Sequence, residues 1–317
     1  MIIPGLIVLA ISFTITFLSV PFIKKFGLKF SLFDKPNNRK QHETPIVRVG
    51  GLAIMVAILF SITFSSLFGL FQISYSKDFP LIFVCSSLLF LIGFLDDIFS
   101  ISFLKRLLCQ ILIVSYSWKA GLRIDEIDLL WLNPEFMNLN FSPFFSFFIT
   151  NMWVVGIINA FNWLDGLDGL ATGITLFTSL GFMFASFSID FGNMALLLFS
   201  LIGACIGFLI YNYNPAKIFM GDGGSYLLGS LMAFISVYIY NAGLNNGGAS
   251  ISLITLILIL FVPLFDMTYV VLHRIANGKL PFLPDRQHIH HRLLRIGFNH
   301  QDTVIFCYLI SIFFICI

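Results

Sequence analysis

The residues able to do chemistry fall into four clusters: Asp96-Asp97, the run Asn159 to Gly169, Gly221-Asp222-Gly223-Gly224, and His288-Ile289-His290-His291. Adjacent carboxylates repel unless they share a cation or a proton. Asp96 and Asp97 therefore read as a place for a divalent ion or for a proton taken from a substrate, where a lone Asp would read equally well as a helix-end cap. Asn159, Asn162 and Asp165 recur every third residue and so line one side of a helix, with Asp168 following between Gly166 and Gly169. Carboxylate and amide oxygens are the hard ligands that magnesium prefers, and amides also bind phosphate or sugar hydroxyls. Interhelical hydrogen bonding is the alternative.

The glycine-rich turn around Asp222 precedes a helical pattern, where exposed amides favour an anion and Asp222 could hold a metal bridging phosphate oxygens. It is not a Walker loop, since no Gly-Lys-Ser/Thr follows. His288, His290 and His291 follow Arg286 in a donor-rich loop without zinc-ligand spacing, which suits a diphosphate or a sugar better than zinc. Arg39 and Lys40 offer further phosphate contacts, with attraction to an anionic membrane surface as the alternative. Asp266 lies inside an apolar run, where a carboxylate is a functional candidate or a structural hydrogen-bond partner.

These clusters punctuate an oily chain. Of its 317 residues 58% are hydrophobic and 11% charged, against about 25% charged in soluble domains. Ten apolar segments read at about 2–23, 49–72, 80–96, 106–120, 144–162, 170–188, 192–211, 224–242, 249–272 and 303–317. The expected fold is an all-α polytopic bundle of about 10 transmembrane helices, 11 in a longer chain. The first segment has no basic start or cleavage site and reads as a permanent span. The last stops inside its apolar run, so the expectation is a single membrane-embedded domain over 1–317, truncated at the carboxyl terminus.

Of 18 basic residues, all but Lys77, Lys119 and Arg123 follow odd-numbered segments. Basic loops stay cytoplasmic, which puts the amino terminus outside and all four clusters on the cytoplasmic face. The net charge of +2 gives no case for a nucleic-acid partner. The five cysteines sit in apolar runs without CxxC spacing and read as packing residues.

Taken in order, Asp-Asp after the third segment, Asn-Ala-Phe-Asn-Trp-Leu-Asp-Gly-Leu-Asp-Gly-Leu, Phe-Met-Gly-Asp-Gly-Gly-Ser and Asp-Arg-Gln-His-Ile-His-His resemble the polyprenyl-phosphate N-acetylhexosamine-1-phosphate transferases, the MraY/WecA family. The resemblance runs from about Arg39 to Gly297. The His-Ile-His-His form looks like the WecA-type branch, which makes lipid carriers for O-antigen, teichoic acid and related surface glycans. It looks less like the branch that transfers phospho-MurNAc-pentapeptide.

The resemblance implies transfer of N-acetylhexosamine 1-phosphate, GlcNAc foremost, from a UDP-sugar to undecaprenyl phosphate at the inner face of the plasma membrane. Magnesium, or manganese in its place, is the implied cofactor, and a homodimer is left open. Asp222 then matches the magnesium-binding Asp, and Asp96 and Asp97 a pair of which one deprotonates the lipid phosphate. Asn159, Asn162, Asp165 and Asp168 match the active-site helix, Asn212 an Asn ten residues before the metal Asp, and His288, His290 and His291 a motif serving the donor's diphosphate or sugar. Direct attack and an aspartyl intermediate are both allowed. A CDP-alcohol phosphotransferase is rejected because Ala-Arg is missing after Asp165-x-x-Asp168-Gly169. A secondary transporter would place its polar groups at the midplane.

Overall fold

The computed structural model describes residues 2–34, 45–70, 78–127, 139–186, 192–245, 251–281 and 287–317. They form the helices α1 (Ile2–Lys29), α2 (Gly51–Leu67), α3 (Asp78–Phe99), α4 (Phe103–Lys119), α5 (Pro143–Leu164), α6 (Leu170–Ala185), α7 (Gly192–Asn212), α8 (Gly221–Asn245), α9 (Leu253–Ile259), α10 (Phe261–Ala276), α11 (Ile289–Arg295) and α12 (His300–Ile315). Two short antiparallel pairs, which the apolar pattern does not announce, join β1 (Phe33–Asp34) to β2 (Ile46–Val47) and β3 (Glu126–Ile127) to β4 (Leu139–Asn140).

Local chemistry sets several boundaries. Ser142 accepts a hydrogen bond from the Phe145 amide and Pro143 occupies the first turn of α5, a serine cap with a proline that needs no donor there. The ninth apolar segment is not the straight span expected. It breaks at Leu260 into α9 and α10, which are bent by 86°. Pro263 explains the break, because it donates no amide hydrogen and its ring crowds the carbonyl four residues earlier, that of Ile259. Asp266 therefore sits on the turned-aside helix, and α9 alone, about 10 Å long, cannot cross a core of ~30 Å.

Among the described residues five helices are long and apolar enough to cross a bilayer, namely α1, α3, α5, α7 and α8, with the bent pair as a sixth if it is one span. Apolar but shorter are α2, α6 and α12. Helix α4, not among the candidate spans, presents an apolar stripe outward. Leu104, Leu108, Leu112 and Tyr116, each four residues apart, are exposed, whereas Gln110, Val114 and Ser117 are buried. An apolar stripe facing out and polar groups facing in reverse the soluble pattern. The protein is an all-α, multi-pass membrane protein.

Helix α8 forms the axis and packs against α3, α5, α2 and α6. Leu227, Leu228, Leu231, Met232, Phe234 and Ile235 are buried around its circumference. On the flank α1 lies on α7. A β-carbon at Gly203 would stand 2.2 Å from the Leu9 carbonyl oxygen, and one at Gly207 2.7 Å from that of Phe13. That small-xxx-small spacing is what lets the two backbones touch.

Candidate active site

The end of α3 and the start of α8 meet at one end of the bundle, and backbone bonds fix a third strip against them. Phe219 N donates to Val47 O at 2.8 Å, Gly50 N to Phe219 O at 2.9 Å and Gly51 N to Met220 O at 2.8 Å. Gly221 takes a left-handed φ of +77° beneath the Arg48 carbonyl, where a β-carbon would lie 2.0 Å from that oxygen. At Gly93 on α3 a β-carbon would fall 2.3 Å from the Asp222 carbonyl oxygen. The glycines thus serve close backbone approach. The amides of the turn are not left open for a foreign anion, as the sequence suggests. Asp222 N and Gly223 N donate to Asp97 at 2.9 and 3.0 Å, so an aspartate from α3 caps α8.

Four carboxylates and two guanidiniums converge on this junction. Asp97, with its side chain 1% exposed, also accepts from Arg48 Nε at 3.0 Å and pairs with Arg48 Nη2 at 2.9 Å. Asp96 pairs with Arg106 Nη1 at 2.5 Å. Asp222 accepts from Asn162 Nδ2 at 2.8 Å on Oδ1, while its Oδ2 faces Arg48 Nη2 at 3.3 Å and Arg106 Nη1 at 3.6 Å. The same Asn162 amide reaches Ser225 Oγ at 3.0 Å. Arg106 Nη1 faces both Asp96 at 2.5 Å and Asp222 at 3.6 Å, which gathers two carboxylates around one guanidinium and favours a shared cation or proton. Asp165, half-buried at the end of α5, completes the set. Burial first, and then the Asp222 and Asp97 charges, push its carboxyl well above the ordinary range against the opposing pull of Arg48.

No three carboxylate, imidazole or thiol groups among the described residues already form a metal cage. Magnesium does not need one, since it commonly keeps several waters and takes one or two carboxylates plus substrate phosphates. Asp222, with its side chain 23% exposed, next to Asp96 and the Asn162 amide, offers a fitting set of hard oxygens.

Other expected site residues are drawn away from this junction. Asp168 accepts from Asn214 Nδ2 at 2.9 Å and Ala216 N at 3.0 Å, and its own amide donates to His300 Nε2 at 3.0 Å. Asn212, 3% exposed, accepts from Gly169 N and Thr172 Oγ1 at 3.1 Å and donates to Ile218 O at 3.0 Å. Its amide ties together α6, α7 and the approach to α8. Asn159 donates to Val155 O and to Gln110 Oε1, both at 2.8 Å. It lines an apolar groove with Phe103, Val155, Gly156, Trp163 and Pro281.

The histidines are held from α10. Asp266 accepts from Ile289 N at 2.6 Å and contacts His288 Nδ1 at 2.8 Å, which realises its reading as a structural hydrogen-bond partner. His290 is 1% exposed and lies between His288, stacked with it at 5.7 Å, and His291, tilted against it at 4.3 Å. Its Nε2 lies 2.6 Å from where a β-carbon of Gly166 would be, so only glycine lets α11 close on the turn after Asp165. Burial, and then the neighbouring His291, His288 and His300, push its imidazole well below the ordinary value. Arg39, Lys40 and Arg286 lie outside the described residues.

Two central residues show no chemical motif in the sequence. Arg48 and Arg106 enter the sequence reading only through topology, although Arg48 stands two residues before the Gly50-Gly51 pair at the start of α2 and Arg106 ten residues after Asp96. Gln110 carries no such signal either, and Ser225 enters only as the last residue of the Phe-Met-Gly-Asp-Gly-Gly-Ser run.

The profile of the family described as glycosyl transferase family 4 matches residues 79–240. The chain is 33% identical over 313 residues to the probable undecaprenyl-phosphate N-acetylglucosaminyl 1-phosphate transferase of Bacillus subtilis, covering 96% of this chain and 83% of that protein. It is 33% identical over 300 residues to the undecaprenyl-phosphate alpha-N-acetylglucosaminyl 1-phosphate transferase of Escherichia coli K12, covering 92% and 77%. With the decaprenyl-phosphate N-acetylglucosaminephosphotransferase of Mycobacterium tuberculosis H37Rv it shares 31% identity over 312 residues, covering 93% and 77%.

Proposed function

The chain belongs to glycosyl transferase family 4, and on that premise we propose that it transfers N-acetylglucosamine 1-phosphate from UDP-N-acetylglucosamine to undecaprenyl phosphate, as its relatives' names describe for the acceptor and the sugar phosphate. A phosphate oxygen of the acceptor forms a bond to the donor's β-phosphorus. The bond from that phosphorus to the bridging oxygen breaks, and UMP leaves with the electron pair. The observation that carries this reading is the convergence of Asp96, Asp97, Asp165 and Asp222 with Arg48 and Arg106 at one end of an apolar bundle. An isoprenoid tail stays in lipid there while its phosphate meets a water-borne nucleotide.

Roles follow from hydrogen-bonding capacity. Asp97 is closed off by two α8 amides and Arg48, so it organises the junction. Asp96 retains capacity and takes the acceptor's proton. Asp222, with the Asn162 amide beside it, holds magnesium or manganese, which supplies charge neutralisation across the diphosphate when bound. Arg106 draws the acceptor phosphate toward Asp96. His290 and His291, on the short helix against Gly166, receive the donor's diphosphate or sugar. Positive-inside loops support a cytoplasmic site in the plasma membrane, an amino terminus outside and about ten crossings.

Purified protein given undecaprenyl phosphate and a panel of UDP-sugars tests this. Lipid-linked GlcNAc formed with magnesium is the expected product. No lipid-linked sugar from any UDP-N-acetylhexosamine would reject the function.

A further inference from the structure

Arg48 touches the two carboxylates of the junction unequally. Its guanidinium meets Asp97 at 2.9 and 3.0 Å but Asp222 Oδ2 only at 3.3 Å, longer than the ~2.7–2.9 Å of a tight charge-assisted bond. The Asp97 end is fixed, because the Asp222 and Gly223 amides hold that carboxylate in place. The Arg48 backbone is fixed as well, its amide donating to Leu32 O at 3.2 Å and its neighbour Val47 paired with Phe219. The Asp222 end is the loose one, on a side chain that is 34% exposed.

The oxygen it touches matters. Asn162 occupies Asp222 Oδ1 at 2.8 Å, which leaves Oδ2 as the oxygen for an entering cation. Arg48 lies on that same oxygen, with Arg106 at 3.6 Å.

We propose that Arg48 is a positioning residue that acts through Asp222, a tethered cation that shares Oδ2 with the divalent ion and so sets how tightly that ion binds. Anchored on Asp97, it neutralises Asp222 before loading. On loading it yields Oδ2 to the ion while Nε and Nη2 stay on Asp97. The proposal rests on the reading of Asp222 as the cation ligand. A guanidinium suits the task because its fork can keep one carboxylate while releasing the other, which a point-charge ammonium cannot do.

Direct manganese titration of the purified protein, read by the electron paramagnetic resonance of the free ion, tests this without turnover. Arg48→Gln should bind manganese more tightly than the parent, on the order of tenfold, since a competing positive charge is removed. The same variant should lose kcat/KM for UDP-N-acetylglucosamine. Arg48→Lys keeps the charge without the fork and should shift affinity the same way by a smaller factor, and it decides the matter if Arg48→Gln does not fold. Unchanged or weaker manganese binding in the folded variants, with binding abolished in Asp222→Asn, would overturn the role of Arg48 and leave the metal reading standing. Parental manganese binding in Asp222→Asn would instead overturn the metal reading beneath it.

Discussion

Asp165 and Asp168 stand three residues apart in one motif, yet they face opposite surroundings. Asp165 looks into the carboxylate junction, where Asp222 and Asp97 push its carboxyl up. Asp168 is met by Asn214 and the Ala216 amide, while its own amide engages His300. The first environment is strained by like charge and asks for a cation. The second holds one carboxylate oxygen, Oδ2, between two neutral donors. The contrast extends to the asparagines, since Asn162 hands its amide to Asp222 and Ser225 whereas Asn212 is buried and fully engaged in a loop knot. Residue type marks which side chains are capable of chemistry, and their hydrogen-bond partners show which of them also tie the fold together.

The largest effect should come from the strained side. Asp222→Asn keeps the shape of the side chain and removes the charge, so kcat/KM should fall by about 100-fold or more, the scale seen when one preorganised electrostatic partner is lost. Circular dichroism should show the helices intact. Parental turnover at limiting magnesium would erase the distinction between the two corners.

Next comes the side held by neutral donors. Asp168→Ala leaves the Asn214 and Ala216 donors unpaired and should cost about 2–3 kcal/mol of stability, as for hydrogen bonds to a charged group. Thermal unfolding in detergent would register that loss. The activity of the fraction that stays folded should exceed that of Asp165→Asn.

Asp165→Asn sharpens the comparison because its sign is opposite. The Asp165 carboxyl is raised in the folded protein above its ordinary 3.8, so the folded state binds the proton more tightly than the unfolded chain. Its ionisation therefore removes stability as pH rises from 3.8 through the raised value. In chelator at neutral pH, Asp165→Asn should be more stable than the parent, by about 1 kcal/mol, while transferring poorly. A destabilised Asp165→Asn would place Asp165 with the scaffold.

The smallest effect concerns His290. Its imidazole is held below the ordinary 6.5, so the unfolded chain binds the proton more readily and the folded state loses stability as pH falls through about 6.5. Melting temperatures taken from pH 7.5 to pH 5 should decline, and His290→Gln should flatten that decline. An identical slope in the variant would show that the acid sensitivity arises elsewhere.

Much of this was legible from residues alone. Apolar length gave a helix for each of the ten segments, and the four polar clusters pointed to one end of the bundle, where α3, α5 and α8 do meet. The kink at Leu260 was less visible because Pro263 lies within an unbroken apolar run, and hydropathy has no term for a missing amide. Arg48 and Arg106 were hidden for a different reason. Arg48 belongs to a segment remote in sequence from its partners, 49 residues separating it from Asp97, and no local spacing announces such a pair. Arg106 stands only ten residues from Asp96, but across the turn between α3 and α4, where helical periodicity gives no register. The fate of the glycine-rich turn was equally non-local, since its amides found their anion on another helix.

Isotope position gives the most direct test of the transfer itself. UDP-N-acetylglucosamine labelled with 32P at the β-phosphate can be incubated with the protein, magnesium and undecaprenyl phosphate, then partitioned between butanol and water. A phosphosugar transferase carries the label into the lipid fraction and releases unlabelled UMP. Label left in the aqueous phase as UDP, with sugar alone on the lipid, would contradict attack at the β-phosphorus and with it the reaction assigned to this chain.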